Sequence, residues 1–200
     1  YSDRIEYTYD LPQTIPSYLA SVAVGPYAIV HDVFSSIDGS MVPVELIAQP
    51  SDTNALIASF VHLVDAFNQF EQSYGPYVWD RVGYVLTGQG AMEHPTLVAY
   101  PSFLANGNTA YEDVMAHELA HHWWGDYVTC ETAEDMWINE GMAEYSAHLF
   151  FEEAYDYATY LEKVQANHFD VLKTAHLDDN GFRAVNGIPH DYTYGSHVYY

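Results

Sequence analysis

Short apolar segments separated by turn residues dominate the first quarter of the chain. Residues 18–24, 27–30 and 41–47 are rich in β-branched and aromatic side chains, which is typical of strands. A Gly-Pro pair separates the first two segments, and residues 36–39 have the composition of a hairpin turn. The pattern predicts a sheet region that carries no candidate catalytic group.

Helical spacing begins after the first fifty residues. Apolar side chains recur three and four positions apart over residues 53–74, and the pattern ends before Gly75, which predicts one amphipathic helix with a buried stripe. Residues 80–86 and 96–99 predict strands, and residues 87–90 predict a loop between them. The functional candidates begin at this loop.

Three further helices follow in the pattern. One is predicted over residues 111–124, where Gly125 ends it. A capping box at residues 132–135 predicts the start of the next. The third is predicted over residues 157–177, with Asp156 at its beginning. Strands first and helices afterwards are typical of an α+β fold.

The composition is that of one folded domain. The chain has 200 residues, of which 49% are hydrophobic and 16% aromatic, whereas disordered chains are poor in aromatics. The single cysteine, Cys130, cannot form an internal disulfide, so cysteine usage leaves the cellular compartment open. No apolar run reaches the roughly 18 to 20 residues that span a bilayer, so we expect no transmembrane helix.

The charge balance restricts the partners. Five Lys and Arg against 28 Asp and Glu give a net charge of -23, which repels nucleic acid and offers no basic patch to anionic lipid. We therefore expect neither as a partner. The acidity suits metal ions or protonated amines, but acidity of this kind more often reflects solubility or a salty habitat. The net charge therefore does not indicate a function, and only particular carboxylates in a motif can indicate a catalytic or binding role.

One motif carries such an argument. His117, Glu118 and His121 form the pattern H-E-x-x-H on a predicted helix, where residues four apart project from one face and can bind a single Zn²⁺. Glu118 then lies beside the metal as a general base. By chance a chain of this composition contains about 0.04 such matches, so a structural zinc site or exposed histidines stay open on the motif alone.

A third ligand strengthens the hypothesis. Glu140 lies 19 residues after His121 at the start of the next predicted helix, and catalytic zinc sites use three protein ligands with one open position. Requiring a glutamate at one fixed offset lowers the chance expectation to a few per thousand. The spacing therefore favours a catalytic metal site.

These residues resemble the zinc signature of the aminopeptidase N family of gluzincin metallopeptidases, which also includes the bifunctional leukotriene hydrolases. Residues 90–94 resemble the family's G-x-M-E-N segment, an edge strand that pairs with the substrate backbone. The resemblance implies one Zn²⁺ per chain, substrate contacts at Ala91 and Met92, and an amino-terminus anchor at Glu93. His94 departs from the family's Asn, which puts the contacts of that amide in doubt.

The resemblance also implies a tyrosine that donates a hydrogen bond to the oxyanion of the reaction intermediate. Tyr199 lies 59 residues after Glu140, close to the family spacing of about sixty, and a phenol stays neutral at pH 7 while it donates. We prefer Tyr199 to Tyr200 and Tyr194. Each of these tyrosines could instead be a core aromatic.

Other polar residues receive structural interpretations. His122 is interpreted as a surface or packing histidine, because it points about 100° away from His121 on a helix. Asn139 and Glu144 are candidates for contacts around the metal or the cleft, and Glu144 shares a helix face with Glu140. The remaining histidines show no spacing that suggests a second metal.

The fold that the resemblance implies is an α+β, thermolysin-like catalytic domain. Residues 1–50 are expected to be the end of an amino-terminal β-domain with junction strands, and residues 51–200 a catalytic domain truncated at its carboxy-terminal side. The helical carboxy-terminal domain of the parent chain is expected beyond it. A secreted or periplasmic location is favoured over a cytosolic one.

The function expected is zinc-dependent hydrolysis of the first peptide bond of peptides with a free amino terminus. A thermolysin-like endopeptidase stays open, because it shares H-E-x-x-H and a glutamate ligand without needing Glu93. An epoxide-hydrolase side activity and a catalytically incomplete zinc-binding fragment also stay open. Closed structural zinc sites have four protein ligands, and only three are identified here, which weakens the last alternative.

Overall fold

A four-stranded mixed sheet forms one layer of the structure. The computed structural model describes residues 4–200. Strands β1 (Ala28–Ser35) and β2 (Met41–Ala48) form an antiparallel hairpin. Strand β3 (Val82–Thr87) pairs in parallel with β2, and β4 (Val98–Pro101) pairs in parallel with β3, which gives the order β1-β2-β3-β4. Four of the five predicted strands are therefore present, with ends shifted by a few residues.

The predicted strand over residues 18–24 is wrong. Ser17–Leu19 forms one turn of 3-10 helix, and no strand follows it before β1. Val22 and Val24 are 82% and 89% exposed, so this apolar segment has neither a buried face nor a partner strand. Apolar, β-branched composition alone does not form a strand without a hydrogen-bonding neighbour.

The proposed domain boundary near residue 50 stays a prediction. The hairpin β1-β2 belongs to the same sheet as β3 and β4, so these two strands are continuous with the layer that supports the helices. Residues 1–3 of the predicted first segment lie outside the described residues.

Helices form the second layer. Their bounds are α1 (Thr53–Ser59), α2 (Leu63–Tyr74), α3 (Glu112–Ala120), α4 (Glu140–Ala154), α5 (Tyr157–Asp170), α6 (His176–Asp178) and α7 (Ser196–Tyr199). A π turn, Val171–Ala175, joins α5 to α6, and Ala133–Ile138 and His190–Tyr192 are 3-10 turns. The α+β prediction is confirmed. None of the helices among residues 4–200 has the length and apolarity to cross a membrane.

The single helix predicted over residues 53–74 is interrupted. The chain leaves helical geometry at Phe60 and re-enters it at Leu63. The Phe60 ring lies edge-on to Tyr84 and Tyr100, with ring centres 4.8 and 5.1 Å away. The interruption therefore lets Phe60 pack onto the sheet, which a hydrophobic pattern read along one helix cannot show.

Two predicted helix starts have different outcomes. Asp156 caps α5 as predicted, because its carboxylate accepts a hydrogen bond of 2.8 Å from the Thr159 N–H. The predicted capping box at residues 132–135 forms no side-chain cap, and a 3-10 turn takes its place. The helix predicted over residues 111–124 ends as an α-helix at Ala120 and continues as turns.

A buried carboxylate joins the hairpin to the helical layer. Glu71 on α2 is 1% exposed and accepts hydrogen bonds from the Ser36 hydroxyl, the Ile37 N–H and the Tyr77 N–H. These three donors come from the β1-β2 turn and from the segment after α2. Glu71 therefore links three parts of the chain at one point.

We expect Glu71→Gln to lower the free energy of unfolding by about 1.5–3 kcal/mol, because an amide NH₂ would face a buried N–H donor. Urea unfolding followed by circular dichroism measures this. Glu153→Gln removes the same charge at an exposed position of α4 and should change the free energy of unfolding by less than about 0.5 kcal/mol. Equal stability of the two variants would contradict this role of Glu71.

Candidate metal centre

Two packed helices bring three predicted ligands together. His117 lies on α3, His121 directly follows the last residue of α3 one turn later, and Glu140 begins α4. The His117 and His121 Nε2 atoms are 3.1 Å apart, and each lies 3.4 Å from Glu140 Oε2. Among the described residues this is the one group of three or more His, Cys, Asp or Glu with metal-binding geometry.

The triangle formed by these atoms fits a tetrahedral zinc ion. Ligand atoms about 2.0–2.1 Å from a tetrahedral metal lie about 3.3–3.4 Å from one another. The three observed separations of 3.1, 3.4 and 3.4 Å match that spacing. Two imidazoles and one carboxylate leave the fourth position open. The donor set is therefore that of a catalytic metal site.

Contacts on the far side of each ring select the tautomer. The His117 Nδ1–H donates to Glu144 Oε2 at 3.1 Å, and the His121 Nδ1–H donates to the Trp124 carbonyl at 2.8 Å. Because neither acceptor can donate, each neutral ring carries its proton on Nδ1 and directs the Nε2 lone pair to the common point. These two contacts therefore orient both rings toward the common point.

Two residues between α3 and α4, Gly125 and Asn139, lie next to the ligands. Gly125 has φ +121°, and a Cβ there would lie 3.0 Å from His121 Nδ1, so a side chain would disturb the ring. Asn139 is fully buried, and its Oδ1 accepts from the Cys130 N–H at 3.0 Å. These contacts fix the entry into α4 and with it the position of Glu140.

The carboxylates alter the protonation of the ligands. Burial alone would lower the pKa of His117, but its hydrogen bonds to Glu140 and Glu144 outweigh burial and raise it to about 10. Burial opposes the charged form of Glu140, and the two imidazoles nonetheless lower its pKa. Protons and a metal ion therefore compete for the same Nε2 atoms.

Glu118 is buried beside the triad. It is 6% exposed, and its Oε2 has no hydrogen-bond partner among the described residues. Burial raises the pKa of this carboxyl to about 7, against the attraction of His117 and His121. A carboxyl with a pKa near neutrality can both accept and release a proton.

A cavity of about 560 Å³ opens at the triad. All eight residues predicted from the sequence line it: Ala91, Met92, Glu93, His117, Glu118, His121, Glu140 and Tyr199. Asp113, Val114, Glu144, Tyr194 and Tyr200 complete the wall. The structure therefore brings the predicted site residues to one place, while their individual roles stay predictions.

The segment around Glu93 lies at the edge of the sheet. Met92 exchanges two backbone hydrogen bonds of 2.9 Å with Ala99 in an antiparallel bridge beside β4. Glu93 itself is 7% exposed. His94 donates from Nδ1 to the Leu19 carbonyl at 2.9 Å. The residue that departs from the family pattern therefore ties this segment to the 3-10 turn at Ser17–Leu19.

Tyr199 reaches the cavity through α7. A Cβ on Gly141 would lie 2.7 Å from the Val198 carbonyl oxygen, so only glycine permits this approach of α7 to α4. The Tyr199 ring lies 6.2 Å from the His117 ring. Burial first, and the charge of Glu140 after it, raise the pKa of Tyr199, so its hydroxyl stays protonated and able to donate.

The structure decides the role of His122 and adds Asp113 to the site residues. His122 is 1% exposed, and it donates from Nδ1 to the Tyr77 hydroxyl oxygen at 2.8 Å, since the Tyr77 hydroxyl donates to the Arg81 carbonyl. It is a packing residue and not a surface one. Asp113 in the cavity wall escaped sequence reasoning, although its position four residues before His117 places it on the same helix face.

Comparison with known proteins agrees with this geometry. A model of the peptidase family M1 domain matches residues 59–195. Aminopeptidase N of Streptomyces lividans is 34% identical over 145 residues, covering 66% of this chain and 17% of that protein. Aminopeptidase B of Rattus norvegicus is 29% identical over 184 residues, covering 88% of this chain and 26% of that protein.

A solved structure shows the same fold. The M1 zinc metallopeptidase from Deinococcus radiodurans has a TM-score of 0.77 and 21% identity, covering 94% of this chain and 41% of that one. Because the family model matches more than half of the sequence, the chain belongs to peptidase family M1. The predicted family is thereby confirmed. The chain spans 17% and 26% of the two curated relatives.

We expect Glu144→Ala to weaken zinc binding about 10- to 100-fold, because the acceptor that orients His117 is lost. Glu144→Gln retains an acceptor oxygen and should lose less. Competition with a chromophoric chelator measures both dissociation constants, with Glu153→Gln as the matched charge control. Parent-like affinity in Glu144→Ala would show that the contact does not orient the ligand.

Proposed function

We propose that this chain is the catalytic part of a zinc aminopeptidase that removes the first residue from peptides with a free amino terminus. The observation that carries the proposal is the position of Glu93 in the wall of the cavity that also contains the metal triad and Glu118. A carboxylate there can anchor an α-ammonium group beside the scissile bond. Membership of peptidase family M1 supports the hydrolytic chemistry.

Zinc suits the donor set, and His117, His121 and Glu140 would hold it. When bound there, zinc supplies a Lewis acid and lowers the pKa of a water molecule. Glu118, which is buried and has an unpartnered Oε2, accepts the proton of the attacking water. The same carboxyl then protonates the leaving amine, which a pKa near neutrality allows.

Glu93 determines where the peptide is cut. An α-amino group has a pKa of about 7.7–8.0 and is largely charged at neutral pH. An ion pair with Glu93 would hold the first residue so that its own carbonyl group, the scissile one, lies at the metal position. An acetylated peptide loses this charge and cannot form the ion pair. Anchoring by Glu93 therefore distinguishes an aminopeptidase from an endopeptidase.

Tyr199 supports the carbonyl oxygen as negative charge develops on it. Its raised pKa keeps the phenol protonated, so the hydroxyl can donate a hydrogen bond to that oxygen. Donors of this kind are more effective when preorganised in a site from which water is excluded. The packing of α7 on α4 at Gly141 supplies that preorganisation.

We expect zinc-loaded protein to hydrolyse aminoacyl-p-nitroanilides with a free amine and not their acetylated counterparts. Glu118→Gln should lower kcat by about 10²–10⁴-fold, because it removes the general base. Release of p-nitroaniline measures both results, with zinc content checked for each variant. Equal cleavage of acetylated substrates would instead assign an endopeptidase.

We expect Tyr199→Phe to lower kcat by about 10²–10³-fold with a smaller effect on KM, because the hydrogen bond acts on developing charge. Tyr200 is 52% exposed, so Tyr200→Phe should have the smaller effect of the two. Steady-state kinetics on a free-amine p-nitroanilide compares them. The reverse order would assign the oxyanion contact to Tyr200.

A further inference from the structure

The cavity wall carries two carboxylates to which the proposed function gives no contact with the substrate. Asp113 lies one turn before His117 on α3, and Glu144 lies one turn after Glu140 on α4. Residues four apart share a helix face, so each carboxylate lies beside a metal ligand. Neither residue has a Lys or Arg partner in a salt bridge among residues 4–200.

Both carboxylates lie at the same end of the cleft. His121 contacts Glu140, His117 contacts both Glu140 and Glu144, and Glu144 Oε1 lies 3.9 Å from His148 Nε2. The earlier histidine, on α3, thus contacts the later glutamate of α4, so the two helices run antiparallel. Glu144, and Asp113 beyond it, both lie on the His117 side of the metal position.

Glu93 lies on the opposite side. Tyr84, which pairs with Val98 of β4, donates to the Met115 carbonyl at 2.7 Å. Tyr100, two residues further along β4, donates to the Tyr111 carbonyl at 3.0 Å, so β4 runs toward the start of α3. The segment that pairs antiparallel with β4 at Met92 therefore runs the other way, from Met92 through Glu93 toward His121. The three carboxylates therefore flank the metal position, with Glu93 at the His121 end and the other two at the His117 end.

The cavity contains no cation that would neutralise this end. Its wall includes five carboxylates and no Lys or Arg. Lys163 acts on His148 from α5, but its ammonium lies 4.1 Å from the centre of the Phe151 ring and does not line the cavity. Glu118, whose buried Oε2 has no hydrogen-bond partner among residues 4–200, lines the same cavity, so a polar ligand is needed next to these carboxylates.

We infer that Asp113 and Glu144 select peptides whose second residue is lysine or arginine. The inference rests on the proposed function, in which Glu93 holds the amino terminus and the first residue occupies the His121 side. The peptide then continues past the metal toward His117. One residue of extended chain spans about 3.5 Å and one helical turn about 5.4 Å, so the second side chain comes within reach of both carboxylates.

The test uses zinc-loaded Glu118→Gln protein, in which peptides bind without rapid turnover. Calorimetry compares leucyl-lysyl-glycine with leucyl-norleucyl-glycine, whose side chain lacks the ammonium. We expect the lysyl peptide to bind about five- to tenfold more tightly, because two partly exposed carboxylates attract its charge. Leucyl-glutamyl-glycine should bind more weakly than either. Equal dissociation constants for the lysyl and norleucyl peptides would overturn the inference.

Variants assign the effect to the two residues. In the same background, Asp113→Asn should reduce the lysyl advantage about threefold, whereas Asp113→Glu should retain it. Glu153→Gln, which removes a charge from the exposed face of α4, should leave the advantage unchanged. An undiminished advantage in Asp113→Asn, or an equal loss in Glu153→Gln, would contradict a specific role for this end of the cleft.

Two further peptides separate this inference from the proposed function. Lysyl-leucyl-glycine against norleucyl-leucyl-glycine tests the first residue, and a preference there instead of at the second would overturn the inference alone. Acetylated leucyl-lysyl-glycine tests the anchor at Glu93. If acetylation leaves the affinity unchanged, the proposed function fails whatever the lysine preference. Absence of measurable binding by all peptides would overturn both.

Discussion

The structure of the site depends on the orientation of two imidazole rings, one on α3 and one at its carboxy-terminal cap. Each ring donates its Nδ1 proton to a fixed acceptor, Glu144 for His117 and the Trp124 carbonyl for His121. The two Nε2 atoms then lie 3.1 Å apart with their lone pairs directed to one point, and Glu140 Oε2 is the third atom of the ligand triangle. Rotation of either ring would separate these atoms, so the chemistry of the cavity follows from these two hydrogen bonds.

Close packing of α3 on α4 maintains that geometry. Four alanines on the two helices are at most 3% exposed and belong to one core cluster: Ala116, Ala120, Ala143 and Ala147. A larger side chain at one of these positions would disturb the packed core that supports both helices. The sheet and α2 pack against α3 and α4 through one core cluster that includes Phe67, Phe70 and Tyr84. The fold therefore positions a carboxylate from one helix against two histidines of another.

The ligands could be predicted from the sequence because their spacing is local. Residues four apart on a helix share a face, so the spacing of His117 and His121 alone predicts that they lie together. The spacing from His121 to Glu140 resembles that of a known family. Residues whose position depends on tertiary packing were harder to predict. The interruption at Phe60 requires knowledge of Tyr84 and Tyr100 on the sheet, and the exposed Val22 and Val24 show that an apolar run need not pair. Asp113 could have been placed near the site from its position four residues before His117, but it belongs to no motif.

In the proposed metal site, three side chains bind the ion and the fourth position is available to water. X-ray absorption spectroscopy of the zinc-loaded chain measures this coordination. We expect four nitrogen or oxygen neighbours at about 2.0–2.2 Å, with the outer-shell scattering of two imidazole rings. A sulfur atom at about 2.3 Å, which only Cys130 or a methionine could supply, or the outer-shell scattering of a third imidazole ring would contradict it.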